Sequence, residues 1–246
     1  MPAATASEIR DMDVGPEVVR FTAALQDSEL AGPSAAVVAG SIAAFAPGMS
    51  EQHRQDVLQS LLLAQLAANA KADRQKDPAG WFTAYRGVLE QIAWVVEASA
   101  AAARYQAPFA KFTLATVVDD AFRPKILAEQ LPFVTAAIAA FRSDQNSGAE
   151  LVFECPSHSG GIGNFQVALA NEEEDGTVTI RLAQISFNAP QHVIRLLREQ
   201  FTNTSQFRVG FLALSMNEEV FARLRPTIAA KLQGRFDGSV VPLQLS

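Results

Sequence analysis

Between Ser50 and Tyr105 the chain carries its clearest periodicity, and this restricts the fold more than any other feature of the sequence. From Trp81 onward the apolar residues fall at Trp81, Tyr85, Val88, Leu89, Ile92, Val95 and Val96. Spacings of three and four place all of them on one face of a helix. Asp77-Pro78 supplies the start, with Asp as N-cap and Pro in the first turn. Ser50 can cap an earlier helix whose stripe is Val57, Leu58, Leu61, Leu62 and Leu66. The charged segment from Lys71 to Lys76 reads as a solvated turn between them. The pattern predicts an antiparallel helical hairpin, each helix supplying half of a core. Trp94 and the Trp81/Tyr85 stripe belong to that core before they belong to any ligand platform.

On either side of the hairpin the signals are mixed. Met1 to Gly15 reads as a flexible acidic leader, and Pro16 can open a helix carrying Val18, Val19, Phe21 and Leu25. Ser34 to Phe45, with Val37, Val38, Ile42 and Phe45 at helix-compatible spacing, reads as a small-residue helix buried against the hairpin and closed by Pro47-Gly48. After the hairpin, Ala98 to Ala103 extends the second helix. Phe109 to Phe122 fits strand and helix about equally. Ile126 to Arg142 reads as a further helix, kinked or restarted at Pro132.

At Ser143 to Gly148 the composition turns polar and turn-rich, marking the best domain boundary in the chain. Beyond it the period moves toward two. Leu151 and Phe153, then Phe165, Val167 and Leu169, then Val178, Ile180 and Leu182, alternate as strands do, with Asn171 to Gly176 as a hairpin loop. Phe207 to Leu214 is another strand, Val240 to Leu245 a last one, and His192 to Phe201 is open between strand and helix. Asn217 can cap a helix with Glu218-Glu219 in its first turn and Gly234 past its end. The expected class is α+β: an N-terminal helical bundle built on the long hairpin, then a mainly antiparallel β-sheet subdomain with at least one packed helix. The expected divisions are a leader at 1–15, a helical domain at 16–145 and a β-rich domain at 149–246.

Totals exclude several functions. The net charge of −6 disfavours broad binding to nucleic acid, which needs a basic surface to release counterions. One cysteine rules out an intramolecular disulfide, and a reducing compartment is the default. The N-terminus lacks the apolar core of a secretory signal, so cytoplasmic residence is expected, with export without a cleaved signal left open. The charge-free run from Leu30 to Ser50 is too weakly apolar for a resident membrane span.

Chemistry is sparse. Cys155 and His158, next to Gly160, Gly161 and Gly163, are the only candidates for a nucleophilic pair, and no orienting partner is visible. The commoner reading is a glycine-rich loop with an incidental cysteine. The glycines match neither a phosphate loop, since no Lys follows, nor a dinucleotide fingerprint, since Gln166 stands where the third Gly should be. His53, His158 and His192 lie far apart, Glu172 to Asp175 lacks calcium-loop spacing, and Asp119-Asp120 with Glu129 has no supporting group. No metal and no cofactor are expected. Arg195, Arg198 and Arg208, with Arg223 and Arg225 as additions, can form a small anion-binding surface, against the plainer reading of arginines lying over apolar neighbours.

Three functional classes follow, in this order. The first is a non-catalytic binding or assembly protein, acting through protein-protein contacts or self-association of its β-rich half. The second is a membrane-active, pore-forming, toxin-like protein whose Ala/Gly-rich helices, Leu30 to Ser50 and Val88 to Ala103, insert into a lipid membrane. The third is an enzyme using Cys155 and His158.

Overall fold

The computed structural model describes residues 3–15, 34–107, 111–159, 161–188, 200–202 and 207–245. Its strands are β1 (Ser34–Val38), β2 (Ser41–Phe45), β3 (Trp94–Arg104), β4 (Lys111–Phe112), β5 (His158–Ser159), β6 (Ile162–Glu172), β7 (Val178–Asn188), β8 (Phe201–Thr202), β9 (Phe207–Met216) and β10 (Val240–Leu243). Its helices are α1 (Ala6–Asp11), α2 (Glu51–Lys71), α3 (Pro78–Gln91), α4 (Leu114–Phe122), α5 (Leu131–Phe141), α6 (Ser147–Ser157) and α7 (Glu218–Leu232). The class is α+β. One eight-stranded sheet runs in the order β10, β1, β2, β6, β7, β9, β3, with β5 appended to β6. Every pairing in it is antiparallel except β2 with β6.

Helices cover both faces, so the molecule has three layers and two apolar seams. On one face, Ala168 and Ala170 of β6, Ile180 and Leu182 of β7, and Leu212 and Leu214 of β9 meet α1, α2, α3 and α7. On the other, Phe165, Val167, Ile185, Phe187, Phe207 and Phe211 meet α4, α5 and α6. The alternation expected for Phe165/Val167/Leu169 and for Val178/Ile180/Leu182 sorts these residues onto opposite seams.

The expected caps are present. Ser50 accepts the His53 N–H at the start of α2, Asp77 accepts the Gly80 N–H at the start of α3, and Asn217 accepts the Val220 N–H at the start of α7. Trp81, Tyr85, Val88, Leu89 and Ile92 are fully buried. At about 2–3 kcal/mol for each large side chain removed from water, this face anchors the helix layer to the sheet.

Other expectations need correction, the N-terminal helical bundle first. Ser34 to Phe45 is not a helix but the β1–β2 hairpin, lodged between β10 and β6. Both of its faces are buried, which removes the polar alternation that would have marked it as strand. The second hairpin helix stops at Gln91; Val95 and Val96, expected on its apolar face, and Ala98 to Ala103, expected to prolong it, lie in strand β3. Residues 5–12 are no loose leader: a Thr5–Glu8 capping box starts α1, and Ile9 is buried in the first seam. Leu151 and Phe153 lie in helix α6 rather than a strand. The polar stretch at 143–148 joins α5 to α6 on one face and separates no cores, because β1 and β2 share a sheet with β6 and β10. The helix expected after Pro16 and the segment at 192–199 lie outside the described residues.

Candidate functional site

The two edges of the sheet differ. At one edge β10 is four residues long and contains Pro242, which has no N–H to offer. At the other edge β3 runs eleven residues without a proline. Among the described residues no strand pairs with its outer side. From Ala98 to Ala103 it shows only alanine and serine, nearly all exposed, and the flanking charges are Glu97 at one end and Arg104 at the other. Glu97 reaches Arg181 of β7 at 3.0 Å. Two register irregularities against β9, between Val96 and Ala98 and between Ala100 and Ala103, bend the strand without covering it.

Near the Arg104 end the sheet face under α2 and α3 becomes polar. Asn164, Gln166, Gln184 and Ser186 replace the aliphatic residues found further along β6 and β7, and all four are buried. Arg74, from the α2–α3 connector, is inserted into this patch. Its guanidinium donates to the Asn164 carbonyl at 3.0 Å, the Gln65 amide oxygen at 2.8 Å, the Gly40 carbonyl at 2.8 Å and the Gln166 amide oxygen. It also stacks over Trp81 at 4.3 Å. Each of these acceptors is neutral, and burial pushes the Arg74 pKa down to about 9.

Beside this patch a cleft of about 390 Å³ opens at the strand ends. Lys76, Arg104 and Arg208 line it, together with Ser186, Phe187 and Phe207. Ser186, Arg208 and Arg104 stand in register on β7, β9 and β3, so the two arginines sit directly opposite one another. Arg208 donates to the Ala102 carbonyl at 2.9 Å, and Lys76 lies 3.4 Å from Asp73. Among the described residues, no acidic one lines the cleft.

A third cluster joins α2, β6 and α7. Arg225 forks onto both oxygens of the fully buried Asp56 and also donates to Glu218 at 2.7 Å. His53 Nδ1 lies 2.9 Å from Glu172, at ion-pair distance though not in line for a hydrogen bond, and its Nε2 lies 3.7 Å from Glu218. His53, Asp56 and Glu218 offer ligand atoms within 4.8 Å of one another, but a metal ion there would have to displace Arg225 from Asp56. The cluster is an ion-pair network.

Of the residues singled out from the sequence, Arg208 is in the basic cleft, while Arg195 and Arg198 lie outside the described residues. Arg225 serves the ion-pair network, and Arg223 pairs with Glu219 one turn away on α7. The backbone of Cys155 belongs to α6 and that of His158 to β5, so the expected glycine-rich loop begins only after them. Their side chains are outside the described groups. Lys76 and Arg104 had no sequence signal as site residues, because one sat in an expected turn and the other past an expected helix.

No family model and no curated protein sequence matches the chain. Solved structures resemble it distantly. The Evf virulence factor is 11% identical with a TM-score of 0.39, over 79% of this chain and 84% of that one. A delta-endotoxin is 12% identical with a TM-score of 0.36, over 82% and 89%. An activated Cyt2Ba monomer from Bacillus thuringiensis subsp. israelensis is 11% identical with a TM-score of 0.30, over 50% and 71%. Likeness at this level carries no inference about function.

Proposed function

We propose that the protein is a non-catalytic assembly protein whose copies join edge to edge through β3. The carrying observation is the contrast between the two sheet edges: β10 is short and holds a proline, whereas β3 is long, carries no net charge and has no strand on its outer side among the described residues. Natural sheets blunt exposed edges with lysine, proline, brevity or bulges; β3 has only the two irregularities against β9, so it is suited to strand addition. The occupant best matched to it is a second copy in antiparallel alignment. That arrangement sets the Glu97 end of one strand near the Arg104 end of the other, and the small residues between let the backbones approach. Sheet pairing through β3 replaces the contacts first expected from the region after residue 148.

The test is sedimentation equilibrium of the wild-type chain beside Ala98→Lys/Ala101→Lys, which adds two like charges to an exposed strand. Reversible dimers for the wild type and monomers for the variant are expected. A wild-type chain that stays monomeric up to sub-millimolar concentration disposes of the reading.

One observation favours a second, membrane-active reading, though not by helix insertion. No helix among the described residues is long and apolar enough to cross a membrane. The neighbouring strands β3, β6, β7 and β9, however, are 11, 11, 11 and 10 residues long. A membrane-crossing strand needs about 9–11. Dye release from lipid vesicles, abolished by the same lysine pair, is the expected result of this reading. Intact vesicles at neutral and mildly acidic pH remove it.

A further inference from the structure

We propose that the cleft formed by Lys76, Arg104 and Arg208 is a binding site for a phosphate ester whose ester group is apolar. The inference does not rest on assembly through β3, although Arg104 stands at the end of that edge as well. Two arginines directly opposite on adjacent strands set like charges side by side, and among the described residues no carboxylate lines the cleft to offset this. In a chain of net charge −6, three cations line this one cleft, and only Lys76 among them has a carboxylate, Asp73, at ion-pair distance among the described residues. An anion seated between the arginines turns the repulsion into two charge-assisted contacts.

The number of cations selects among anions. A carboxylate brings one negative charge, whereas a phosphate monoester brings nearly two and three strong acceptor oxygens. The forked arginines suit those oxygens, and Lys76, 85% exposed on a flexible stem, can swing to a third. Ile162 and Pro78, both half-buried at the cleft, offer nothing polar from their side chains and suit an aromatic or aliphatic substituent, whereas Phe187 and Phe207 turn their rings into the second seam. The volume, about 390 Å³, is within the range of small-molecule sites.

The experiment is calorimetric titration of the full chain with phenyl phosphate, inorganic phosphate and phenylacetate, and vesicle co-sedimentation with phosphatidylcholine alone or with added phosphatidic acid. Arg104→Gln is the first variant. Arg104→Gln/Arg208→Gln is the second, its fold checked by circular dichroism because Arg208 also holds the Ala102 carbonyl. The expected result is that phenyl phosphate binds more tightly than either control and weakens roughly tenfold to a hundredfold for each arginine removed. Binding to phosphatidic acid vesicles but not to phenyl phosphate, lost in the same variants, supports the site and identifies a lipid headgroup as its source. Binding of neither probe, equal binding of phenylacetate, or binding that survives in the double variant overturns the proposal.

Discussion

Arg74 is a full positive charge only 4% exposed, held by amides and carbonyls rather than by an acid. Removing it forfeits several charge-assisted hydrogen bonds and the stack on Trp81, but also relieves the cost of burying the cation. The loss should win, moderated because Gly40 O still accepts from the Gln166 N–H and Gln65 still accepts from the Gly40 N–H. Arg74→Met is therefore expected to cost about 3 kcal/mol, read as a lower urea midpoint by circular dichroism. A cost below about 1 kcal/mol would show that the polar patch holds itself together. Glu172 gives a pH-dependent counterpart. Burial works to raise its pKa, but the Ser50 N–H and His53 outweigh this and hold it low. A carboxyl with a lowered folded pKa contributes stability above its ordinary value of about 4.3, and that contribution is lost as pH falls through the folded value. The Tm advantage of the wild type over Glu172→Gln should be present at pH 7 and shrink below about pH 4. Sequence made neither role legible. Arg74 and Lys76 share one charged run, yet one is buried and the other exposed, and only the fold distinguishes them.

The least legible element is β3, for a specific reason. A helix of this kind commonly ends on a glycine in the left-handed region, and α3 ends on Ala93 at φ +73°. With no glycine to announce the stop, the apolar spacing continued through Val95 and Val96, and a run of alanines favoured helix by propensity. Pairing with β9 overrides that propensity, the strand gaining an antiparallel ladder interrupted at two points. The β1–β2 hairpin was hidden differently, by the burial of both its faces. The β6–β7 hairpin was readable because its two faces meet different seams and its loop turns on Gly176 at φ +83°. Ala93→Gly tests the account of α3. Relief of the left-handed alanine, worth about 1–2 kcal/mol, should exceed the entropy lost to a freer unfolded chain and raise stability by about 0.5–1 kcal/mol. Thermal melts of the two proteins decide it, and a lower Tm for the glycine variant would mean that Ala93 is not strained.

At the scale of the whole molecule, the question is whether the polar stretch at 143–148 divides anything. Composition places a boundary there, but the sheet crosses it three times. Ser41 to Phe45 lies parallel to Gln166 to Ala170, Ala35 to Val38 lies antiparallel to Val240 to Leu243, and β3 lies antiparallel to β9. A fragment of residues 1–145 would keep the β1–β2 hairpin but lose both of its neighbours, and β3 would lose β9. A fragment of residues 149–246 would keep β6, β7, β9 and α7. It would still expose the edge of β6 and the aliphatic face that α2 and α3 normally cover. Isolated pieces of this kind leave too much apolar surface in water to offset their conformational entropy. Neither fragment alone is expected to show a cooperative thermal transition, whereas the two mixed should recover one as β2 docks on β6 and β10 on β1. Calorimetry of each fragment and of the mixture checks this. A sharp, reversible transition for residues 149–246 alone would make the β-rich region a domain in its own right, with the helix layer and the β1–β2 hairpin as later attachments. Its absence would mean that the β-rich region is not stable without the residues that complete its sheet and cover it, among them β2, whose parallel pairing with β6 bridges 125 positions of sequence between Ser41 and Gln166.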